Sequence, residues 1–230
     1  MPFSLALQLT LLTDALVDPT VALQDSVQDF IRSLQESPEA AQAELVNLVL
    51  RCCGCNDSVD ANKAVDYDGV VDVLDDFTEV LKQENSPVYP LTSKLPIFKP
   101  FRASLSEFID RLVSSTADLG ILYTSDFMST LQTWVIAMSS SQIRSFRHTA
   151  TVVALEIETS LCDAAAAVDK EAEVVSRQRE GEKKRKGTGK GSNARDKELE
   201  VKAREIRERR TKLAEYLKET VDGCVSNLTS

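Results

Sequence analysis

Apolar residues recur every three or four positions along most of this chain, a spacing that places them on one face of an α-helix. The pattern predicts helices at residues 3–16 and 21–33, separated by an Asp-Pro pair. A third helix should follow Ser37, a good N-terminal capping residue, and Pro38, which is tolerated in a first helical turn. We expect it to end near Gly54, because glycine readily adopts the left-handed conformation that terminates many helices.

Three further amphipathic helices are predicted before residue 140, at residues 70–81, 101–112 and 127–138. The apolar stripe of the first comprises Val70, Val71, Leu74, Phe77, Val80 and Leu81. Residues 85–100 contain four prolines, which lack the backbone N–H that a regular helix needs. Short helices joined by short loops are typical of stacked helix pairs, so the pattern predicts an all-α, HEAT-like α-solenoid at residues 1–140.

The remaining residues, 141–230, have a different pattern. Apolar positions continue from Ile143 with neither Pro nor Gly before Gly181, which predicts one helix of about 40 residues and about 60 Å. A glycine-rich connector is expected at about 181–193. A second helix follows, with an apolar residue every seven positions at Leu199, Ile206 and Leu213. Two long helices joined in this way predict an antiparallel coiled-coil hairpin that projects from the helical layers.

The charge of the chain is distributed unevenly along its length. The net charge is −9. Residues 1–176 hold 11 basic and 26 acidic residues, a balance of −15, whereas residues 177–230 hold 16 basic and 10 acidic residues, a balance of +6. A polyanion would therefore be attracted to only one end of the molecule. No run of eighteen apolar residues occurs, so we expect no membrane-spanning segment.

The candidate binding site is a basic cluster at the predicted hairpin tip. Its nine members are Arg177, Arg179, Lys183, Lys184, Arg185, Lys186, Lys190, Arg195 and Lys197. Only three acidic residues lie within the same stretch. Such a cluster is suited to contacts with phosphates of double-stranded DNA without reading of the bases. The alternative is that it serves as a nuclear-import signal on a solvated hairpin tip.

The sequence contains no pattern typical of an enzyme or a metal centre. Cys52, Cys53 and Cys55 lie close together, but zinc sites usually need a second pair of ligands, so we interpret them as small apolar residues at a helix end. His148 is the single histidine, and no nucleophile or carboxylate motif accompanies it. We therefore expect no catalytic residue, cofactor, metal or small-molecule substrate.

Three segments together resemble the STAG (stromal antigen) family of cohesin subunits. The first is ELVNLVLRCCGC at 44–55, similar to a family helix that ends in a Cys-x-Gly-Cys turn. The second consists of YPL at 89–91 and FR at 101–102, followed by EFI at 107–109. The third, SQIRSFRHT at 141–149, resembles the family signature SQxRxFRHT. Their order and spacing agree over about residues 3–222.

The resemblance implies a curved helical-repeat protein that acts in sister-chromatid cohesion, in the nucleus and on chromatin. Members bind the kleisin subunit of cohesin, associate with its SMC subunits and contribute to DNA binding, in part through basic surfaces that include a helical projection near the N-terminus. Most of the kleisin-binding surface is expected beyond the part represented by this chain. The glycine-rich stretch 187–191 departs from the usual family connector, so the DNA contacts are predicted from this chain's own charges.

Two hypotheses for function follow. In the first, the chain is the N-terminal part of a non-enzymatic cohesin subunit, and its hairpin contacts DNA phosphates. In the second, it is a purely protein-binding nuclear scaffold whose basic tip is an import signal. Binding to duplex DNA, and its dependence on salt, would separate the two.

Overall fold

The computed structural model describes residues 12, 15–17, 22–83, 88–187 and 193–228, and their regular structure is helical. Most of the predicted helix at 3–16 lies outside these residues, although Leu12 and Leu16 are buried in the core. The α-helices are α1 (Leu23–Glu36), α2 (Pro38–Cys52), α3 (Ala61–Val65), α4 (Val70–Gln83), α5 (Phe101–Asp118), α6 (Phe127–Ser139), α7 (Arg144–Gly187) and α8 (Asn193–Leu228). The all-α fold predicted from the sequence is confirmed.

Helices α1 to α6 form packed layers, which we call the body. The central helix is α2, because it is buried along most of its length and contacts α1, α3, α6 and α7. Large apolar side chains fill the space between the layers, and Trp134 and Phe127 of α6 are fully buried. The Trp134 indole N–H donates to the Ala64 carbonyl at 2.9 Å, and the Asn47 amide nitrogen donates to the Val59 carbonyl at 2.9 Å. These bonds attach the irregular segment around α3 to the core.

Two local predictions about the body need correction. Ser37 does occupy the position before α2, but its hydroxyl makes no capping hydrogen bond among the described residues. On α4, Val71 and Val80 belong to the predicted apolar stripe, yet they are 59% and 42% exposed. The buried face of α4 is narrower and is formed by Val70, Leu74, Thr78 and Leu81. Helical spacing alone does not reveal how wide a face the neighbouring helices cover.

The end of α2 and the proline-rich segment match their predictions. Helix α2 ends at Cys52, and Gly54 follows with a φ of +80°. A Cβ atom at Gly54 would collide with the Val88 carbonyl oxygen, so both the backbone conformation and the space require glycine. The proline-rich segment contains two short 3₁₀ turns, Pro90–Thr92 and Pro96–Phe98, in place of a regular helix.

Helices α7 and α8 form the predicted antiparallel hairpin. Val168 and Val175 of α7 are buried against α8, whose Leu199, Ile206 and Leu213 are also buried. Near its base, α8 packs on α6, where the Gln132 side-chain amide donates to the Tyr216 carbonyl at 2.7 Å. The hairpin is therefore fixed at its base and projects from the helical layers.

The predicted connector begins too early. Helix α7 continues through Gly181 and ends at Gly187, while residues 188–192 lie outside the described residues. Glycine destabilises a helix by about 1 kcal/mol relative to alanine. Here the next residue, Glu182, is 4% exposed, and its carboxylate contacts Arg185 at 3.1 Å and Arg195 of α8 at 3.5 Å. These ion pairs hold the last turns of α7 against α8.

Candidate nucleic-acid interface

The distal half of the hairpin begins beyond the outermost contact that the structure describes between the hairpin and the body. At this level the Arg209 guanidinium lies over the Tyr123 ring at 5.9 Å, and it donates to the Glu171 carboxylate at 2.8 Å. Farther out, ion pairs connect the two hairpin helices to each other or connect successive turns of one helix. From Glu171 to Lys184 the helix rises about 20 Å at 1.5 Å per residue. The basic cluster therefore lies on the projecting part of the hairpin.

Three lysines of the cluster are exposed: Lys183, Lys184 and Lys197. None of them forms an ion pair with any residue that the structure describes. Lysine ammonium groups in water are available to bind anions, because only hydration competes for them. The positive charge of these three side chains is thus presented to solvent.

Three arginines of the cluster are engaged with acidic side chains. Arg177 pairs with Glu173 at 3.0 Å, one turn earlier on the exposed face of α7. Arg185 and Arg195 share the buried Glu182 carboxylate. Their guanidinium groups remain more than half exposed, so the ion pairs orient them without removing them from solvent. Glu182 therefore has a structural role in positioning the tip.

Of the other three predicted residues, the structure describes the side chain of Arg179 only. Arg179 is half-buried and points into a groove between the hairpin helices. Lys186 lies in the last turn of α7, but its side chain is not among those described. Lys190 lies outside the described residues.

The groove contains basic residues that the sequence reasoning missed. It has a volume of about 190 Å³, and its apolar floor includes Val175 and Ile206. Arg207 and Arg210 of α8 line it opposite Arg179. Arg210 pairs with Asp169, with its Nε at 2.7 Å from the carboxylate oxygen. Within the described part of the chain, neither Arg179 nor Arg207 forms an ion pair. We call this the arginine groove. It could have been predicted by aligning the two predicted hairpin helices in antiparallel orientation, which brings Arg179 near Arg207 and Arg210.

His148 has a structural environment at the base of the hairpin. The Tyr89 hydroxyl lies 2.7 Å from His148 Nδ1 and 3.1 Å from the Thr149 hydroxyl, and the Tyr89 and His148 rings meet edge to face. Burial raises the pKa of Tyr89 to about 12, so this phenol stays protonated at neutral pH. The Tyr89 side chain thus connects the proline-rich segment to the start of α7. Arg147 donates to the backbone carbonyls of Ser141 and Gln142.

The clustered cysteines are core residues, as predicted. Cys52, Cys53 and Cys55 are all buried, and none of the three is in a disulfide. Burial raises the pKa of Cys52 to about 12 and that of Cys53 well above its usual range, which disfavours the thiolates that bind zinc. In the described part of the chain, no group of His, Cys, Asp and Glu side chains is arranged to hold a metal ion. None of the helices described there is long and apolar enough to span a bilayer.

Comparison with known proteins identifies similar sequences and a similar fold. The STAG domain family matches residues 87–202. Cohesin subunit psc3 of Schizosaccharomyces pombe is 32% identical over 163 residues, which cover 71% of this chain and 17% of that protein. Cohesin subunit SA-1 of Xenopus laevis is 31% identical over 157 residues, which cover 68% of this chain and 12% of that protein. The chain thus spans a small fraction of the length of these relatives.

The solved structure of cohesin subunit Scc3 from Z. rouxii has the same fold. The two superpose with a TM-score of 0.82 over 94% of this chain and 25% of that one, at 21% sequence identity. The similarity includes most of the body and of the hairpin, because it covers nearly the whole chain. At this level of identity the likeness concerns the fold alone.

Proposed function

The chain belongs to the STAG domain family, and from that membership we propose that it works as part of a non-enzymatic cohesin subunit. Its proposed role is in sister-chromatid cohesion, in the nucleus and on chromatin; similar proteins are named cohesin subunits or, in Arabidopsis thaliana, sister-chromatid cohesion protein 3. The layered body is the scaffold, since its buried polar groups join helices together. The chain corresponds to 17% of the psc3 relative, so contacts with the kleisin and SMC subunits involve mainly other parts of such a subunit.

The hairpin is the part that we propose contacts double-stranded DNA. The single observation that carries this proposal is that Lys183, Lys184 and Lys197 are exposed on a projecting tip and form no ion pair with a described residue. Each of them can replace a condensed counterion on the phosphate backbone, and release of those counterions drives association. A cluster held on the outside of two helices has no element that enters a groove to read bases, so binding is independent of sequence.

The arginine groove extends the same surface towards the body. Arg179 of α7 and Arg207 of α8 both line it, and a guanidinium can donate two parallel hydrogen bonds to one phosphate. Contacts at the tip and at the groove would place two phosphates along one edge of the hairpin. The proposed interface therefore includes residues of both hairpin helices.

The experiment is an anisotropy titration of the chain on a labelled 20-base-pair duplex at several salt concentrations. Engagement of about four phosphates gives a slope of about −3.6 in the plot of log K against log salt. Replacing Lys183, Lys184 and Lys197 together with Gln should make the slope about 2.7 less negative and weaken binding at least about tenfold at 0.1 M salt. The Arg179→Gln and Arg207→Gln double variant should weaken binding by a smaller factor.

The matched control replaces Arg32, Lys63 and Lys82 of the body with Gln, which changes the net charge equally. At 0.1 M salt and above, this variant should keep the slope of the unmodified chain, because the three residues lie on α1, α3 and α4 and their charges are screened from the hairpin tip. An unchanged slope after the hairpin substitutions would remove the tip from the interface. Absence of duplex binding by the unmodified chain would favour the scaffold whose basic tip is an import signal.

A further inference from the structure

A second exposed surface, far from the hairpin tip, combines cations with apolar side chains. Two stretches that the structure describes in full contain no Asp or Glu: 88–106 in the body, and 139–155, which runs from the end of α6 into the base of α7. They carry five of the 11 basic residues of the acidic part of the chain: Lys94, Lys99, Arg102, Arg144 and Arg147. All five are exposed, and none forms an ion pair with a described residue. This local absence of acids stands out in a region whose overall balance is −15.

The two stretches meet at the start of α5 and α7. The Tyr89 hydroxyl contacts His148 and Thr149 in the first turns of α7, and the charge of Arg144 acts on Tyr89, where it opposes the rise in the Tyr89 pKa. Helices α5 and α7 run side by side in the same direction, because two hydrogen bonds four residues apart join them in the same order. The Ser106 hydroxyl donates to the Glu156 carboxylate at 2.6 Å, and the Ser160 hydroxyl donates to the Asp110 carboxylate at 3.4 Å. The basic residues therefore lie around one corner of the body.

Large apolar side chains are exposed among these cations. Leu95 is 50% exposed and Ile97 is 57% exposed, on either side of Pro96 and between Lys94 and Lys99. A single exposed apolar residue on a protein surface needs no explanation. Two within three positions, flanked by the exposed Lys94 and Lys99, give this segment an exposed surface that is both apolar and positively charged. We call residues 94–99, with Arg102, the basic-apolar patch.

Local contacts preorganise the backbone of the patch. Phe98 turns inward and meets the Phe101 ring edge to face at 5.9 Å, which anchors the segment to α5. The 3₁₀ turn Pro96–Phe98 contains the backbone bond from the Phe98 N–H to the Leu95 carbonyl at 3.0 Å. Pro96 and Pro100 restrict the backbone further. A preorganised surface loses little conformational entropy on binding, and this favours its use as a docking site.

From these observations we infer that the basic-apolar patch binds an acidic peptide segment of a partner protein, one that carries one or two large apolar residues. The cations attract the acidic side chains, while Leu95 and Ile97 contact the apolar ones. The remainder of the body is acidic and repels such a segment, so the patch also determines where it docks. The phosphates of DNA could pair with the cations, but DNA would present no apolar side chain to Leu95 and Ile97. An acidic peptide with apolar residues therefore fits the patch better than DNA does.

The test selects ligands from a phage-displayed library of random 12-residue peptides on the unmodified chain. Counter-selection uses the double variant Leu95→Ser and Ile97→Ser. The enriched peptides should contain several Asp or Glu residues together with Leu, Ile or Phe. One enriched peptide, measured by anisotropy, should bind the double variant at least about tenfold more weakly, a change of about 1.4 kcal/mol. It should bind a Lys94→Glu and Lys99→Glu variant more weakly still, and its affinity should fall as salt rises.

Controls distinguish binding at the patch from non-specific hydrophobic binding and from DNA binding. The variant Leu119→Ser and Val201→Ser removes two side chains that are 63% and 46% exposed outside both stretches, and it should bind the peptide as the unmodified chain does. Circular dichroism verifies that each variant is folded. The inference is overturned if no peptide is enriched over the counter-selection, or if the enriched peptides bind the patch variants unchanged. It is also overturned if Lys94→Glu and Lys99→Glu weaken duplex binding while Leu95→Ser and Ile97→Ser leave peptide binding intact.

Discussion

Glu44 differs from the other buried polar residues of the body. The buried Asn47 side chain accepts from the Val59 N–H at 2.8 Å and donates to the same residue's carbonyl. Glu44 is only 8% exposed, yet it forms no ion pair with a described residue, and Asp29 lies near enough to repel its negative charge. Burial, with a smaller contribution from Asp29, raises the pKa of Glu44 from 4.5 to about 7. Compared with the unfolded chain, the folded protein therefore favours the protonated form of the Glu44 carboxyl.

This shift predicts a stability that depends on pH. A group whose pKa is higher in the folded state contributes stability that is fully present below its unfolded pKa of 4.5 and is lost as pH rises through about 7. After allowance for solvent screening, the loss should be about 1–2 kcal/mol. Glu44→Gln should remove it, so the variant should be more stable than the unmodified chain at pH 8 and similar to it at pH 4.5. Urea denaturation at both pH values measures the difference.

The matched control for this prediction is Glu205→Gln. Glu205 lies in the middle of α8, is exposed and forms no ion pair with a described residue. Its replacement should change the free energy of unfolding equally at both pH values. If Glu44→Gln behaves like this control, the Glu44 carboxyl is charged in the folded state and the burial argument is wrong.

At the scale of single elements, the continuity of α7 through Gly181 can be tested. An added Cβ at Gly181 would meet nothing within 4 Å, so Gly181→Ala changes helix propensity without a clash. Alanine stabilises a helix interior by about 1 kcal/mol relative to glycine. Amide hydrogen exchange in the last turns of α7 should therefore slow about fivefold. Faster or unchanged exchange would indicate that the helix ends before Gly187.

Gly120 provides the opposite control for the same substitution. An added Cβ there also meets nothing within 4 Å, but the residue has a φ of +77°. Alanine in this left-handed conformation is strained, so Gly120→Ala should destabilise the protein by about 1 kcal/mol, measured by urea denaturation. The pair of substitutions separates helix propensity from backbone strain.

Helices that are specified by a single apolar stripe could be predicted from the sequence. Features that depend on contacts between distant parts of the chain were predicted less well. The stripe through Leu199, Ile206 and Leu213 was sufficient to predict the hairpin. The end of α7 was misplaced because the ion pair between Glu182 and Arg195 forms only after α8 folds back. The arginine groove was missed for the same reason, since Arg179 and Arg207 become neighbours only in the folded hairpin. The basic residues of the tip could be predicted as a candidate site because they are adjacent in the sequence.

At the scale of the whole molecule, the hairpin separates two regions of opposite charge. The acidic part of the chain carries a balance of −15, and the rest carries +6. If the cations lay on the body, the surrounding acids would repel DNA from them. The Debye length is about 8 Å at 0.15 M salt and about 30 Å at 0.01 M. A tip about 20 Å beyond the last contact with the body is therefore screened from the acids at the higher salt concentration but not at the lower.

The dependence of DNA affinity on the acids of the body follows from these lengths. Asp72, Asp75 and Asp76 are exposed on α4, and replacing all three with Asn reduces the negative charge of the body. At 0.15 M salt this variant should bind duplex DNA within about 1.5-fold of the unmodified chain, whereas at 0.01 M it should bind at least about threefold more tightly. Glu180→Gln, an exposed change on the hairpin itself, should tighten binding at both concentrations. If the body substitutions tightened binding equally at both, the acids would lie within one Debye length of the bound phosphates, and the hairpin would not keep DNA away from the body.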